Sequence, residues 1–168
     1  IKTAVNSYGP AITKTKVHVG DVDLALFSGT ARLEHFMLGN PEGFSSAYAV
    51  KADTIFVDIE EKSLTEDTII IHKIEVARPE IIYEKKGGTD NFKAILTNIN
   101  GKAAADRTNQ GQAAKTEQST KVLIRNFVVR DGNVTLAMTA LGGKGVRASL
   151  PDVQLKDIGT AKGGASPA

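Results

Sequence analysis

The most constraining feature of this chain is a strand pattern that occurs more than once. Ile69-Ile70-Ile71-His72-Lys73-Ile74-Glu75-Val76 aligns with Val122-Leu123-Ile124-Arg125-Asn126-Phe127-Val128-Val129. The match continues past a break, pairing Pro79 with Gly132, Ile81 with Val134 and Tyr83 with Leu136. A third copy sets Leu33, Phe36, Leu38 and Pro41 in the register of Ile71, Ile74, Val76 and Pro79. The apolar positions step by three and then by two before the breaker. A plain strand steps by two throughout, so the pattern predicts a strand with a bulge or twist ahead of a break. Repeated strand units predict a sheet that grows by accretion.

Composition agrees with a β-rich core. The chain has 168 residues, fitting one domain, and is 41% apolar but 5% aromatic with no Trp. Its interior must therefore be built from Val, Ile, Leu and Ala, of which Val and Ile favour strands. Net charge is +2, from 21 basic and 19 acidic side chains. That balance lacks the concentrated basic face of a dedicated nucleic-acid binder. There is no Cys, which removes disulfides and thiolate metal sites. No apolar run approaches the ~18 residues of a membrane span. The first residue is Ile rather than Met, which predicts a trimmed or processed chain.

Along the chain, residues 1–13 carry Ile1, Ala4, Val5, Tyr8 and Ile12 at helical spacing, with Gly9-Pro10 as a kink point. Strand signals follow from Lys16 to Phe27, with a phase change at Gly20-Asp21 that predicts a bulge. Ser28-Gly29 and Asn40-Pro41-Glu42-Gly43 are turns. Tyr48–Glu60 alternates Ile55, Val57 and Ile59 with Phe56, Asp58 and Glu60. Ser63–Asp67 reads as a short connection, and Ile69–Tyr83 as the most apolar strand region. Asn91–Asn98 reads as a short helix. Gly101–Thr120 has no large apolar residue and is expected to be a mobile polar loop. Val122–Met138 returns to strand with a turn at Asp131-Gly132, and a last strand runs from Val146 to Ile158, interrupted at Pro151. Residues 1–158 thus form one domain, with 159–168 a small-residue flexible tail. The expected fold is mainly β: a curved, twisted antiparallel sheet with one or two short helices, one of them N-terminal.

Further residues carry a family resemblance. The run VHVGDVDLALFSGTARLEHFMLGNPEGF (17–44), Ala49-Val50-Lys51, the segment 68–83 and the closing SLPDVQLKDIG (149–159) together resemble bacterial AsmA-like proteins. The likeness covers most of the chain outside the polar loop and the tail. It implies a gutter-like antiparallel sheet with an apolar interior, in the periplasm, anchored to the inner membrane by a segment preceding Ile1. It also implies lipid carriage between membranes or a part in outer-membrane assembly, in a short member or a membrane-proximal piece. Even ~10 strands at ~4.8 Å reach only ~48 Å, too short to bridge a periplasm. The resemblance brings no catalytic residues.

Residue chemistry gives no enzyme signature either. His18, Asp21 and Asp23 offer metal-ligating groups, but alternation separates His18 from Asp21 unless a bulge realigns them, and a solvated strand face is the simpler reading. His35 and His72 stand alone. Gly142-Gly143-Lys144-Gly145 resembles a phosphate loop but lacks the following Ser or Thr and helix. Asp58, Glu60 and Glu61 fit the wet side of a strand, and no Gly-x-Ser-x-Gly elbow supports a triad.

The expectation is a non-enzymatic envelope module, without cofactor or metal, binding phospholipid or acyl chains on an apolar sheet face. Ile55, Val57, Ile69, Ile71, Ile81, Leu123 and Phe127 are its expected lining. By parity, Ile69, Ile71, Ile81 and Tyr83 share one face, and Ile70, Ile74, Val76 and Ile82 the other. The alternative is a structural protein that associates with itself or with another envelope protein through its sheet edges.

Overall fold

The computed structural model describes residues 2–109, 121–138 and 145–159. Helix α1 (Lys2–Thr13) leads into β1 (Val17–His18), β2 (Asp21–Ala25), β3 (Thr30–Leu38) and β4 (Val50–Ile59). Then follow β5 (Thr68–Ala77), β6 (Glu80–Lys86), β7 (Thr89–Asp90) and helix α2 (Asn91–Asn109). Strands β8 (Lys121–Arg130), β9 (Asn133–Met138), β10 (Gly145–Ser149) and β11 (Val153–Ile158) complete the order. Short 3₁₀ turns sit at Leu26–Ser28 and Glu61–Thr65. Among the described residues all eleven strands belong to one open sheet, as expected for a mainly-β chain with an N-terminal helix. Most pairs are antiparallel, but β5–β8 and β6–β9 are parallel, so the sheet is mixed.

The parallel pairs explain the repeat. Strand β8 lies beside β5 with Ile69 against Val122, Ile71 against Ile124 and Ile74 against Phe127. β9 lies beside β6 with Ile81 against Val134 and Tyr83 against Leu136. The two copies are therefore neighbours in register. The third copy is not level with them. Leu33 pairs with Ile55, which pairs with Val76, so Leu33 stands across from Val76 rather than Ile71.

The strands are broken at one common level, so the sheet has a crease across it. β1 and β2 are separated at Val19-Gly20, where the Gly20 N–H donates to the Glu34 carbonyl at 2.9 Å. On the next strand His35 has φ +53. β5 and β6 are separated at Arg78-Pro79, with φ +47 at Arg78, and β8 and β9 at Asp131-Gly132, with φ +53 at Asp131. β10 and β11 are separated at Leu150-Pro151-Asp152. β3 and β4 run through this level without a break, β3 with the left-handed His35 in it.

Sequence expectations for the helices hold in part. Pro10 lies inside α1, and the helix continues to Thr13. Gly9 allows the helix to approach the sheet: a Cβ there would lie 2.8 Å from Val17 Cβ. Asn6 ties the helix to the crease, its Oδ1 accepting the Val19 N–H at 2.8 Å and its Nδ2 donating to the Val19 carbonyl at 3.4 Å. Helix α2 corrects the expected polar loop, since residues 101–109 are helical. The Asp90 Oδ1 accepts the Lys93 N–H at 2.8 Å and starts the helix. Once nucleated, it propagates into Ala103-Ala104-Ala105, residues of high helix propensity that need no apolar face. Residues 110–120 of the expected loop and 160–168 of the expected tail lie outside the described residues.

The turns follow their chemistry. Gly29 has φ +63, and a Cβ there would lie 2.1 Å from the Ile59 carbonyl oxygen. Gly43 has φ +92 in the Asn40–Gly43 turn. Where β4 ends, Asn91 fills the gap beside β6. It is fully buried; its Oδ1 accepts the Glu84 N–H, and its Nδ2 donates to the Asn40 Oδ1 and the Ile82 carbonyl.

Candidate apolar face and its polar continuation

Register decides which side chains share a face, because directly paired residues point the same way. Above the crease, toward Ala25, Ile59 and Thr68, three apolar ladders cross the sheet. One reads Leu33–Ile55–Val76–Val129–Val153. The next reads Ala31–Val57–Ile74–Phe127–Leu155, and the third Ile59–Ile71–Ile124–Ile158. The reverse face at this level is polar, as in the ladder Asp23–Arg32–Phe56–Glu75–Val128–Gln154. There Lys73 pairs with Glu75, whose carboxyl is held low first by that hydrogen bond.

Below the crease the sides exchange. The ladder Val17–Leu38–Val50–Ile81–Val134–Ala148 is apolar, and it lies on the opposite face from Ile55 because β4 alternates without interruption. Both helices pack on this lower apolar side. Gly9 of α1 lies against Val17, and Phe92 of α2 stacks on Tyr83 with ring centroids 6.4 Å apart. Asn98 of α2 donates to the Thr13 carbonyl and joins the helices. The other lower face is the ladder His18–Met37–Lys51–Glu80–Asn133–Ser149. Tyr48 there donates to Glu80 at 2.7 Å, which holds the Glu80 carboxyl below its ordinary value, and Arg147 pairs with Glu80 at 3.2 Å.

Among the described residues neither helix packs chiefly on the upper apolar face. The helices pack, among those residues, mainly with each other and with β1, β6 and β7. Among the described residues the buried apolar side chains are Val19, Ala49, Ala52, Ile95 and Val128, with Pro41 and Pro79 at turns and breaks. Neither the three upper apolar ladders nor the lower ladder from Val17 to Ala148 contributes to that set. The upper ladders' residues are half-buried by their neighbours, and Leu155 is 48% exposed. The upper end of the sheet carries exposed Leu26, Phe27 and Leu64 on the two 3₁₀ turns.

Of the seven expected lining residues, the structure brings Ile55, Val57, Ile69, Ile71 and Phe127 to this face. Ile81 is not with them: it pairs with Val50 below the crease and faces the helix side. Leu123 is not either, since it pairs with Ile70 on the polar face. Simple parity fails at two places. His72 is an extra residue between Lys73, paired with Asp58, and Ile71, paired with Ile59. This bulge returns Ile69 and Ile71 to the face of Ile74 and Val76. The second place is the crease, beyond which Ile81 and Tyr83 separate from Ile69 and Ile71.

Other expected sites have plain outcomes. The carboxylates and imidazole that gather are Asp21, Glu34 and His35, with ligand atoms within 4.8 Å, rather than His18, Asp21 and Asp23. Asp21 already pairs with Lys2 at 3.5 Å. Residues 142–144 of the glycine-rich run lie outside the described residues. The buried carboxylate of Glu84, which the sequence did not single out, accepts the Ser45 and Ser46 N–H groups and the Ser46 hydroxyl, securing the loop ahead of β4. Among the described residues no helix is long and apolar enough to cross a membrane. No protein-family model matches the chain, and no curated protein matches it.

Proposed function

We propose that this chain is a non-enzymatic lipid-handling module that carries acyl chains on its upper apolar face. The carrying observation is the three apolar ladders, whose residues stay partly exposed, while among the described residues both helices pack on the apolar side below the crease. A contiguous apolar face left partly open fits a partner or ligand site. An acyl chain laid across the ladders gains roughly 0.8 kcal/mol per buried CH₂. The chemistry needs no cofactor. The resemblance of residues 17–44, 68–83 and 149–159 to AsmA-like proteins supports placing this activity in the bacterial periplasm. An inner-membrane anchor outside these residues, and lipid transport or outer-membrane assembly as the process, belong to the same proposal.

A second reading is association through a sheet edge. Strands β10 and β11 form one outer edge, and Val146 on it is 65% exposed. At the other edge α1 lies beside β1, and Asn6 occupies the N–H and carbonyl of Val19. Among the described residues β10–β11 and the outer side of β2 have no further strand, and either could take one.

Native mass spectrometry of gently purified protein, with lipid extraction of the same sample, separates these readings. Near-stoichiometric co-purified phospholipid is the expected result. A clean protein mass, unchanged after incubation with lipid vesicles, would sink lipid carriage and leave edge association.

A further inference from the structure

The side of the sheet that carries the apolar ladders becomes polar below the crease. A ligand lying along the strands on that side meets apolar residues at one end and His18, Met37 and Lys51 at the other. Leu33 and Met37 mark the two ends on β3, separated by about 13 Å at about 3.3 Å per residue. A cavity of about 650 Å³ opens at this polar end, where α1 gives way to β1. Lys14, Lys16 and His18 line it together with Pro10, Val17 and Met37, and no carboxylate does among the described residues. Lys14 leaves the end of α1 with φ +53, and none of the three basic side chains makes an ion pair among the described residues. This contrasts with Arg78, Arg125, Arg130 and Arg147, each of which is paired with a carboxylate.

We propose that this cavity is a headgroup site selecting amphiphiles with a net negative headgroup, such as acyl lipids bearing an unshielded phosphate, with Lys14 and Lys16 as its specificity-determining residues. The inference rests on the acyl-chain reading of the upper face and names the class of lipid that face takes. Two unpaired ammonium groups beside an apolar wall match a phosphate joined to hydrocarbon. A zwitterionic headgroup would bring its own cation into a cavity that offers it no carboxylate. Met37 and Val17 supply the apolar wall next to the headgroup.

The test loads the whole chain from vesicles containing equal amounts of phosphatidylglycerol and phosphatidylcholine with identical acyl chains, and weighs the bound species by native mass spectrometry. The expected result is enrichment of phosphatidylglycerol by at least about fivefold, the weight of one lysine at an anionic headgroup. Lys14→Gln with Lys16→Gln brings the ratio to parity while total loading persists, and Lys14→Arg with Lys16→Arg keeps the preference. Circular dichroism confirms that both variants stay folded. Equal loading of the two lipids by the unaltered chain overturns the headgroup site but leaves the acyl-chain reading standing; it would mean that the lysines only offset the carbonyls at the end of α1. Enrichment that persists in the Gln variant overturns the assignment to Lys14 and Lys16. Absence of any lipid overturns both readings.

Discussion

Arg78 and Asp131 stand side by side at the breaks that follow the parallel strands β5 and β8, both with left-handed backbones, at φ +47 and +53. The Arg78 N–H donates to the Arg130 carbonyl at 2.9 Å, so the two bends are stitched together. Left-handed geometry costs a non-glycine residue roughly 1 kcal/mol, and more when it is β-branched. Asp131→Gly is therefore expected to hold or raise stability, and Asp131→Val to lower it by about 1–2 kcal/mol. Urea unfolding of both variants decides. Equal effects would mean that the crease is not set by local backbone preference.

Asn6 is the second fastening of the crease. Its carboxamide takes both backbone groups of Val19, a residue with no exposure at all. Asn6→Ala leaves those groups without their partner, at an expected cost of about 1–3 kcal/mol. Asn6→Asp keeps the acceptor for the Val19 N–H but faces the Val19 carbonyl with a second acceptor, so it recovers at most part of the loss. A melting temperature unchanged in Asn6→Ala would show that the first helix does not hold the strand.

The exchange of sides at the crease predicts opposite outcomes for two charges on β4. Val57 belongs to the upper apolar face, whereas Ala52 is buried, 3% exposed, on the side where the helices pack. Val57→Asp is expected to remove lipid loading and to cost less than about 2 kcal/mol, because water still reaches the new carboxylate. Ala52→Asp is expected to unfold the domain or cost more than about 3 kcal/mol, the carboxylate having no partner there. Thermal melts read beside lipid loading distinguish the two sides. Similar destabilisation by both would mean that the upper face is packed in solution.

Glu84 gives a dependence on pH. Burial alone would raise its pKa, but hydrogen bonds from Ser46 and Ser45 outweigh this and hold it below the ordinary value. A carboxyl whose folded pKa is depressed adds stability above its unfolded value, near ~4.3, and loses it as pH falls toward the folded one. The melting temperature is therefore expected to drop as pH falls below ~4.3, with a shallower drop in Glu84→Gln. Glu75 and Glu80 are also depressed and supply the slope that remains. Identical pH profiles for the two proteins would remove Glu84 from this account.

Much of the sheet was legible in the sequence because its determinants are local. β-Branched runs, the Gly29 and Asn40–Gly43 turns and the breakers at Pro79, Gly132 and Pro151 act through the backbone of the residues that carry them. The repeat goes further, since aligned residues such as Ile69 and Val122 are register partners on adjacent strands of the sheet. The extent of α2 is not legible from hydrophobicity, because Ala-rich sequence without an apolar face continues a helix once Asp90 has started it. Face assignment was right for Ile55, Val57, Ile69, Ile71 and Phe127 only as a group of five. It failed for Ile81 and Leu123 because alternation holds between irregularities and not across them. A bulge at His72 and a crease at Arg78 each reset the count.

The sequence by itself determined that strands form, where they break, and that their apolar residues are Val, Ile and Leu. Tertiary structure alone decided what those residues face. Strand pairing aligned the breaks into one crease, and the two helices docked on one side of one half. Among the described residues that packing falls on the side of the lower apolar ladder rather than on the side of the upper ones. No single strand encodes the difference, because cover depends on where distant segments such as α1 and α2 come to rest.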